Sequence, residues 1–123
     1  MVEEDLTREI IGAAVEVHRY WGPGLLEEIY ERSLLHELAS RGLSVEQQMP
    51  LPLSYKGREV GNSLRVDLLV SKKVVVELKA VAELLPIHEA QLFTYLRLTR
   101  CRVGLLINFN TLTLTDGIRR VVL

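Results

Sequence analysis

Val74-Val75-Val76-Glu77-Leu78-Lys79-Ala80 reads as a core strand, apolar on both faces except at Glu77 and Lys79, which lie two apart and so project from one face. The preceding extended segment adds Asp67, set between Val66 and Leu68. A buried ionised group costs several kcal/mol unless it is paired or bound to a metal, so these three side chains need compensation. Loop parity decides whether they meet. A three-residue loop, Ser71-Lys72-Lys73, pairs 70 with 74 and hence 67 with 77; a two-residue loop would oppose Asp67 with Val76 and turn Glu77 to the other face. The odd loop is favoured, because only there does the charge of Glu77 share its surroundings with Asp67.

Two facing carboxylates repel, and a single Lys79 cannot neutralise both, which makes a divalent cation the natural missing partner. Asp67, Glu77 and Lys79 then suit hydrolysis. The carboxylates hold Mg²⁺ or Mn²⁺, the metal polarises a phosphoryl oxygen and acidifies water, and the ammonium orients that water or stabilises developing charge. The competing account is an Asp-Lys-Glu ion-pair cluster with no ligand.

Helical segments offer further candidates. Glu27 lies near Tyr30 and Leu34 on the inward side of its helix while Glu28 points away, so Glu27 could add a metal ligand or simply complement the helix dipole. His88, Gln91 and Tyr95, at i, i+3 and i+7, form a polar stripe able to hold a phosphate or a base edge. His18, His36 and His88 lack metal-pair spacing and Cys101 has no second cysteine, which argues against zinc. Gly22-Pro23-Gly24 is a helix breaker unlike a phosphate-binding loop, and no nucleophile elbow is present. Nucleotide cofactors and Ser-His-Asp chemistry are therefore disfavoured.

These residues need elements to position them. Leu6, Ile10, Ala14 and Val17 predict a helix over residues 3–20, ending at Trp21-Gly22-Pro23-Gly24. A second runs over 25–40, with Leu26, Tyr30, Leu34 and Leu38 in an i, i+4 row and Gly42 at its stop. Strands follow over 45–55, 59–70 and 74–80, the first at a sheet edge because Pro50 and Pro52 cannot donate ladder bonds. Pro86 opens a third helix to about residue 100, through Ala90, Phe93 and Leu96. A buried strand covers 102–109, and an Asp116-Gly117 turn between two short β-prone runs extends the sheet. The order is α-α-β-β-β-α-β with a β tail: one α+β domain over 1–123, without repeats or linkers.

Composition bounds the rest. The chain has 123 residues, 48% of them hydrophobic, which fits one core and is too apolar for a disordered tail. No apolar run approaches the ~20 residues that span a bilayer. The acidic start, Met1 to Asp5, and the lone Cys101 predict a cytoplasmic, reduced protein. The formal net charge of -1 hides an uneven split: residues 1–42 carry nine acids and four bases, leaving seven acids and eleven bases for 43–123. A basic surface is available despite the neutral total.

Asp67 followed by Glu77-Leu78-Lys79 resembles the D-(x)n-ExK signature of the PD-(D/E)XK nuclease superfamily, in which Val66 stands at the usual proline. Residues 24–109 follow the order of that superfamily's restriction-endonuclease-like α-β-β-β-α-β core, here with an extra N-terminal helix and a C-terminal β tail. Gln91 and Tyr95 match its QxxxY motif, and Gly24-Leu25-Leu26-Glu27-Glu28-Ile29-Tyr30 is similar to the signature of the GxxExxY protein family. The resemblance implies a Mg²⁺-dependent (or Mn²⁺-dependent) nuclease that hydrolyses DNA phosphodiesters. Asp67 and Glu77 would be metal ligands, Glu27 a further ligand or partner of metal-bound water, and Lys79 the base or charge stabiliser. Gln91 and Tyr95 would support the site, with His88 beside them towards substrate. The alternatives are a non-catalytic module that binds nucleic acid or protein, and an oligomeric scaffold whose acidic helical layer meets a neighbour's basic one. The expected partner is nucleic acid, DNA first, with a homodimer or a recruiting protein able to supply substrate choice in so small a domain. No membrane partner is expected.

Overall fold

A computed structural model describes residues 2–123. Helical apolar spacing yields α1 (Glu4–Trp21), which buries Ile10, Ala13, Ala14 and Val17, and α2 (Glu27–Ser40), which buries Tyr30, Leu34 and Leu38. Extended segments become β1 (Val45–Tyr55), β2 (Arg58–Val70) and β3 (Val74–Lys79). Then come α3 (Pro86–Thr99), β4 (Val103–Asn108), a 3-10 turn (Leu114–Gly117) and β5 (Ile118–Val122). Among the described residues no helix is long and apolar enough to cross a membrane.

One five-stranded sheet runs in the order β1-β2-β3-β4-β5. All neighbours are antiparallel except β3 and β4, whose parallel pairing requires the crossover that α3 provides. The proline-bearing β1 lies at the edge, as expected. Two cores flank the sheet. On one side Ile10, Ala14, Tyr30, Leu34 and Leu38 meet Leu68, Val76, Leu78, Leu105 and Ile107; on the other Leu92 and Leu96 meet Val66, Val75, Leu106 and Val121. This is the α+β sandwich expected from the sequence.

Three details differ from the sequence-based expectations. α2 starts at Glu27, and Leu26 lies outside it at 75% exposed, because the chain first passes through left-handed glycines at Gly22 and Gly24. On α3 the buried positions are Leu92 and Leu96, while Ala90 is exposed and Phe93 half-buried, so the inward face is turned from the predicted row. Only one strand forms in the tail, since the 3-10 turn replaces the first β-prone run. That turn folds back so tightly that a Cβ on Gly117 would lie 2.4 Å from the Asn108 carbonyl oxygen.

Candidate active site

The hairpin joining β2 and β3 has the odd loop. Val70 pairs with Val74, Leu69 with Val75 and Leu68 with Val76, which puts 67 opposite 77. The ladder stops there. Val66 joins the core under α3 and Leu68, two residues on, the core under α1 and α2, so β2 rolls over at Asp67. Beyond that point β2 pairs only with β1, as a two-stranded ribbon.

Where the ladder ends, the carboxylates take its hydrogen bonds. The Asp67 N–H donates to Glu77 Oε1 at 3.1 Å, and the Leu78 N–H donates to Asp67 Oδ2 at 2.9 Å. Each strand thus holds the other's acid by a main-chain donor, which satisfies the backbone and fixes both side chains. Glu77 is only 6% exposed. Burial, followed by the charge of Asp67, pushes its carboxyl up to about 8. Burial likewise raises Asp67, against the Leu78 hydrogen bond that lowers it.

Glu27, the first residue of α2, belongs to the same field. Its pKa is raised by burial first, then by Asp67, with Lys79 acting in the opposite direction. Its placement starts at Tyr30. The buried Tyr30 ring stacks on Phe109, with centroids 4.6 Å apart. Its hydroxyl donates to the Gly22 carbonyl at 2.5 Å and accepts the Leu25 N–H at 3.1 Å. The loop between α1 and α2 is therefore tied down, and it delivers Glu27 to the sheet.

Lys79 continues the face of Val75 and Glu77 by alternation. Its charge lowers the pKa of Glu27, Asp67 and Glu77, yet among the described residues it makes no ion pair. The strand end is anchored by Asn108, 2% exposed, which accepts the Val81 N–H and donates to the Val81 carbonyl. Phe109 N–H also donates to the Lys79 carbonyl at 2.9 Å.

The α3 stripe divides. Tyr95 faces the carboxylates: burial and the charges of Glu77 and Asp67 push its hydroxyl up to about 12, so it stays protonated as a donor. Gln91 is exposed on the same helix. His88 serves the helix itself, its Nδ1 accepting the Leu85 N–H at 3.0 Å, and none of its hydrogen bonds reaches the carboxylates.

A polar layer absent from the sequence reading surrounds Asp67. Glu31, 7% exposed, accepts from Gln47 Nε2 at 2.8 Å and from Gln48 Nε2 at 2.9 and 3.0 Å. Gln48 Nε2 also donates to Asp67 Oδ1 at 3.2 Å. Gln48 lies in register with Asp67 but adopts φ 52, a left-handed conformation rarely taken by residues other than glycine. Its sequence signal was partial: Glu31 follows Glu27 by one helical step of four. A cleft of about 670 Å³ opens over Glu27, Glu31, Arg32, Gln48 and Asp67.

The fit to a divalent cation rests on the donors. Asp67, Glu77 and Glu27 are hard oxygen donors with raised pKa values and, among the described residues, no ion-pair partner, which is the deficit a cation would fill. No three His, Cys, Asp or Glu side chains among the described residues are gathered into a ready cage. Asp67 and Glu77 thus form a preset pair, and Glu27 stands as their neighbour.

A family model of the PD-(D/E)XK nuclease superfamily matches residues 4–121. No curated protein and no solved structure shows a significant match. The superfamily match spans every helix and nearly all of the sheet, including the paired Asp67 and Glu77, and the chain belongs to the PD-(D/E)XK nuclease superfamily.

Proposed function

We propose that the protein is a Mg²⁺- or Mn²⁺-dependent nuclease that hydrolyses DNA phosphodiesters, and that it falls in the GxxExxY branch through Gly24, Glu27 and Tyr30. The carrying observation is the pairing of buried Glu77 with half-buried Asp67, each acid held by the opposite strand's N–H and, among the described residues, neither in an ion pair. Asp67 and Glu77 would hold the metal, and Glu27 would hold it directly or through water. When bound, the cation polarises the phosphoryl oxygen and lowers the pKa of water.

The chain's own residues supply the rest. Lys79 places a positive charge beside the carboxylates, where it orients the attacking water and offsets charge developing on the phosphoryl oxygens. Tyr95, protonated, donates into the same space, and Gln91 offers an amide from the exposed side of α3. Water gives up a proton to solvent as it adds to phosphorus, the bond to the 3′ oxygen breaks, and that oxygen takes up a proton from solvent, leaving 5′-phosphate and 3′-hydroxyl ends.

Digestion of plasmid and oligonucleotide DNA with Mg²⁺, Mn²⁺ or chelator tests this reading. Cleavage should require the cation and vanish in Glu77→Ala and Lys79→Ala, with circular dichroism unchanged. Undiminished cleavage in both variants, or cleavage in chelator, would refute the assignment. Metal binding without cleavage by the native chain would favour the non-catalytic binding module.

A further inference from the structure

Tyr20 and Trp21, at the C-terminal end of α1, are 79% and 45% exposed, although large aromatic side chains are usually withdrawn from solvent. Their rings meet edge to face, with centroids 4.8 Å apart at 81°. The indole N–H donates to Ser33 Oγ on α2 at 2.9 Å. Trp21 is thereby held in one orientation while nearly half of its surface remains open.

These aromatics line a cleft of about 560 Å³ between α1 and α2, together with Arg32 and His36. Arg32 also lines the cleft over Glu27 and Asp67, so the two depressions share one wall. The two acids lining the aromatic cleft are each matched by an arginine, Glu16 with Arg19 and Glu37 with Arg41, while Arg32 pairs with Glu28 of the carboxylate cleft. The surroundings of the rings are close to neutral. Exposed ion pairs contribute little, so Arg32 can exchange Glu28 for a phosphate at small cost.

We infer that Tyr20 and Trp21 form a stacking platform for an unpaired base of the nucleic acid bound at the carboxylate site, with Arg32 holding the phosphate between platform and site. This rests on the nuclease reading and narrows its substrate to nucleic acid that is single-stranded at that point. An aromatic face can take any base, because every base has a π-face, but only one that has left its duplex stack. Continuity with the carboxylate cleft through Arg32 favours nucleic acid over a protein partner.

Trp21 is the sole tryptophan, so its emission reports on the platform directly. In chelator, to suppress cleavage, oligothymidylate should quench Trp21 saturably and a duplex of equal length should not. Tyr20→Ala, a change at an exposed position, should weaken single-strand binding about tenfold while leaving the tryptophan signal readable. Trp21→Ala should weaken it comparably in an anisotropy assay, and Trp21→Phe should restore most of the loss. Cleavage of DNA with Trp21 emission and Tyr20→Ala affinity unchanged would overturn the platform and leave the nuclease reading standing. Quenching by single strands without metal-dependent cleavage would support the platform and overturn the nuclease reading. Equal quenching by duplex, or none by any nucleic acid, would overturn the platform.

Discussion

Glu77 concentrates the electrostatic cost of the site. Burial acts first on it and Asp67 second, and together they push its carboxyl from 4.5 to about 8. A folded-state pKa above the unfolded value means that the folded chain holds the proton more tightly. The stability contributed is fully present below about 4.5 and is lost as pH rises through about 8. Each pKa unit is worth about 1.4 kcal/mol, so the loss is on the order of 5 kcal/mol for this nearly buried group. Chelator-treated protein should show a Tm that declines across that window, and Glu77→Gln should flatten the decline. Asp67→Asn should act in the same direction, because it removes a neighbouring charge that raises Glu77. Mg²⁺ at the alkaline end should raise the Tm of the native chain and not that of Glu77→Gln. Thermal melts across pH decide the matter. A Tm that climbs with pH in the native chain relative to Glu77→Gln would mean that Glu77 is stabilised as an anion, as the ion-pair cluster requires.

At the scale of elements, the loop between α1 and α2 carries the consequence. Tyr30 is buried, and its hydroxyl is the tie that fixes the chain at Gly22 and Leu25 just before Glu27. Tyr30→Phe should keep the stack on Phe109 but leave the Gly22 carbonyl and the Leu25 N–H without this partner, a cost of about 1–3 kcal/mol in urea denaturation. Because Glu27 is placed through this tie, cleavage at 25 °C, well below the melt, should also fall by about tenfold or more. If Glu27 served only the helix dipole, cleavage would hold while stability fell. The spacing Gly24, Glu27, Tyr30 was legible in the sequence because it lies within seven residues of one turn and one helix start. The pairing of Asp67 with Glu77 was legible because strand parity is set by a three-residue loop. Gln48 was not, since its left-handed backbone and its bond to Glu31 depend on how β1 meets α2, a tertiary fact with no local pattern. The inward face of α3 was misread for a similar reason. Its sequence is apolar on several sides, and only the sheet beneath selects Leu92 and Leu96. His88 was legible by spacing as part of the α3 stripe, and its Nδ1 bond to the Leu85 N–H at the helix start was not.

The whole molecule is polarised in the use of its charges as well as in their number. All four basic residues of 1–42, namely Arg8, Arg19, Arg32 and Arg41, are in ion pairs, whereas among the described residues none of the eleven lysines and arginines of 43–123 is. The helical layer therefore carries surplus acid and the sheet with α3 presents unpaired cations, so a phosphate backbone is drawn mainly to the sheet side, with Arg32 the cation that lines the carboxylate cleft from the helical layer. A base on Tyr20 and Trp21 is consistent with this, because stacking engages an uncharged ring at the rim while its phosphates look towards the site. The β1–β2 ribbon beyond Asp67 carries Lys56, Arg58 and Arg65, and Arg65 stands two residues from Asp67. Affinity for DNA should fall with salt. Arg65→Ser should weaken binding and reduce the slope of log affinity against log salt by about 0.7–0.9, the share of one phosphate contact. Arg8→Ser should leave the slope unchanged, because Arg8 is paired with Glu4 and lines neither the aromatic nor the carboxylate cleft. A binding series over salt for the native chain and the two variants measures both. An oligomer joined acid face to basic face would behave differently: salt would dissociate it in light scattering, and Arg65→Ser and Arg8→Ser would be judged by assembly with no change in DNA slope.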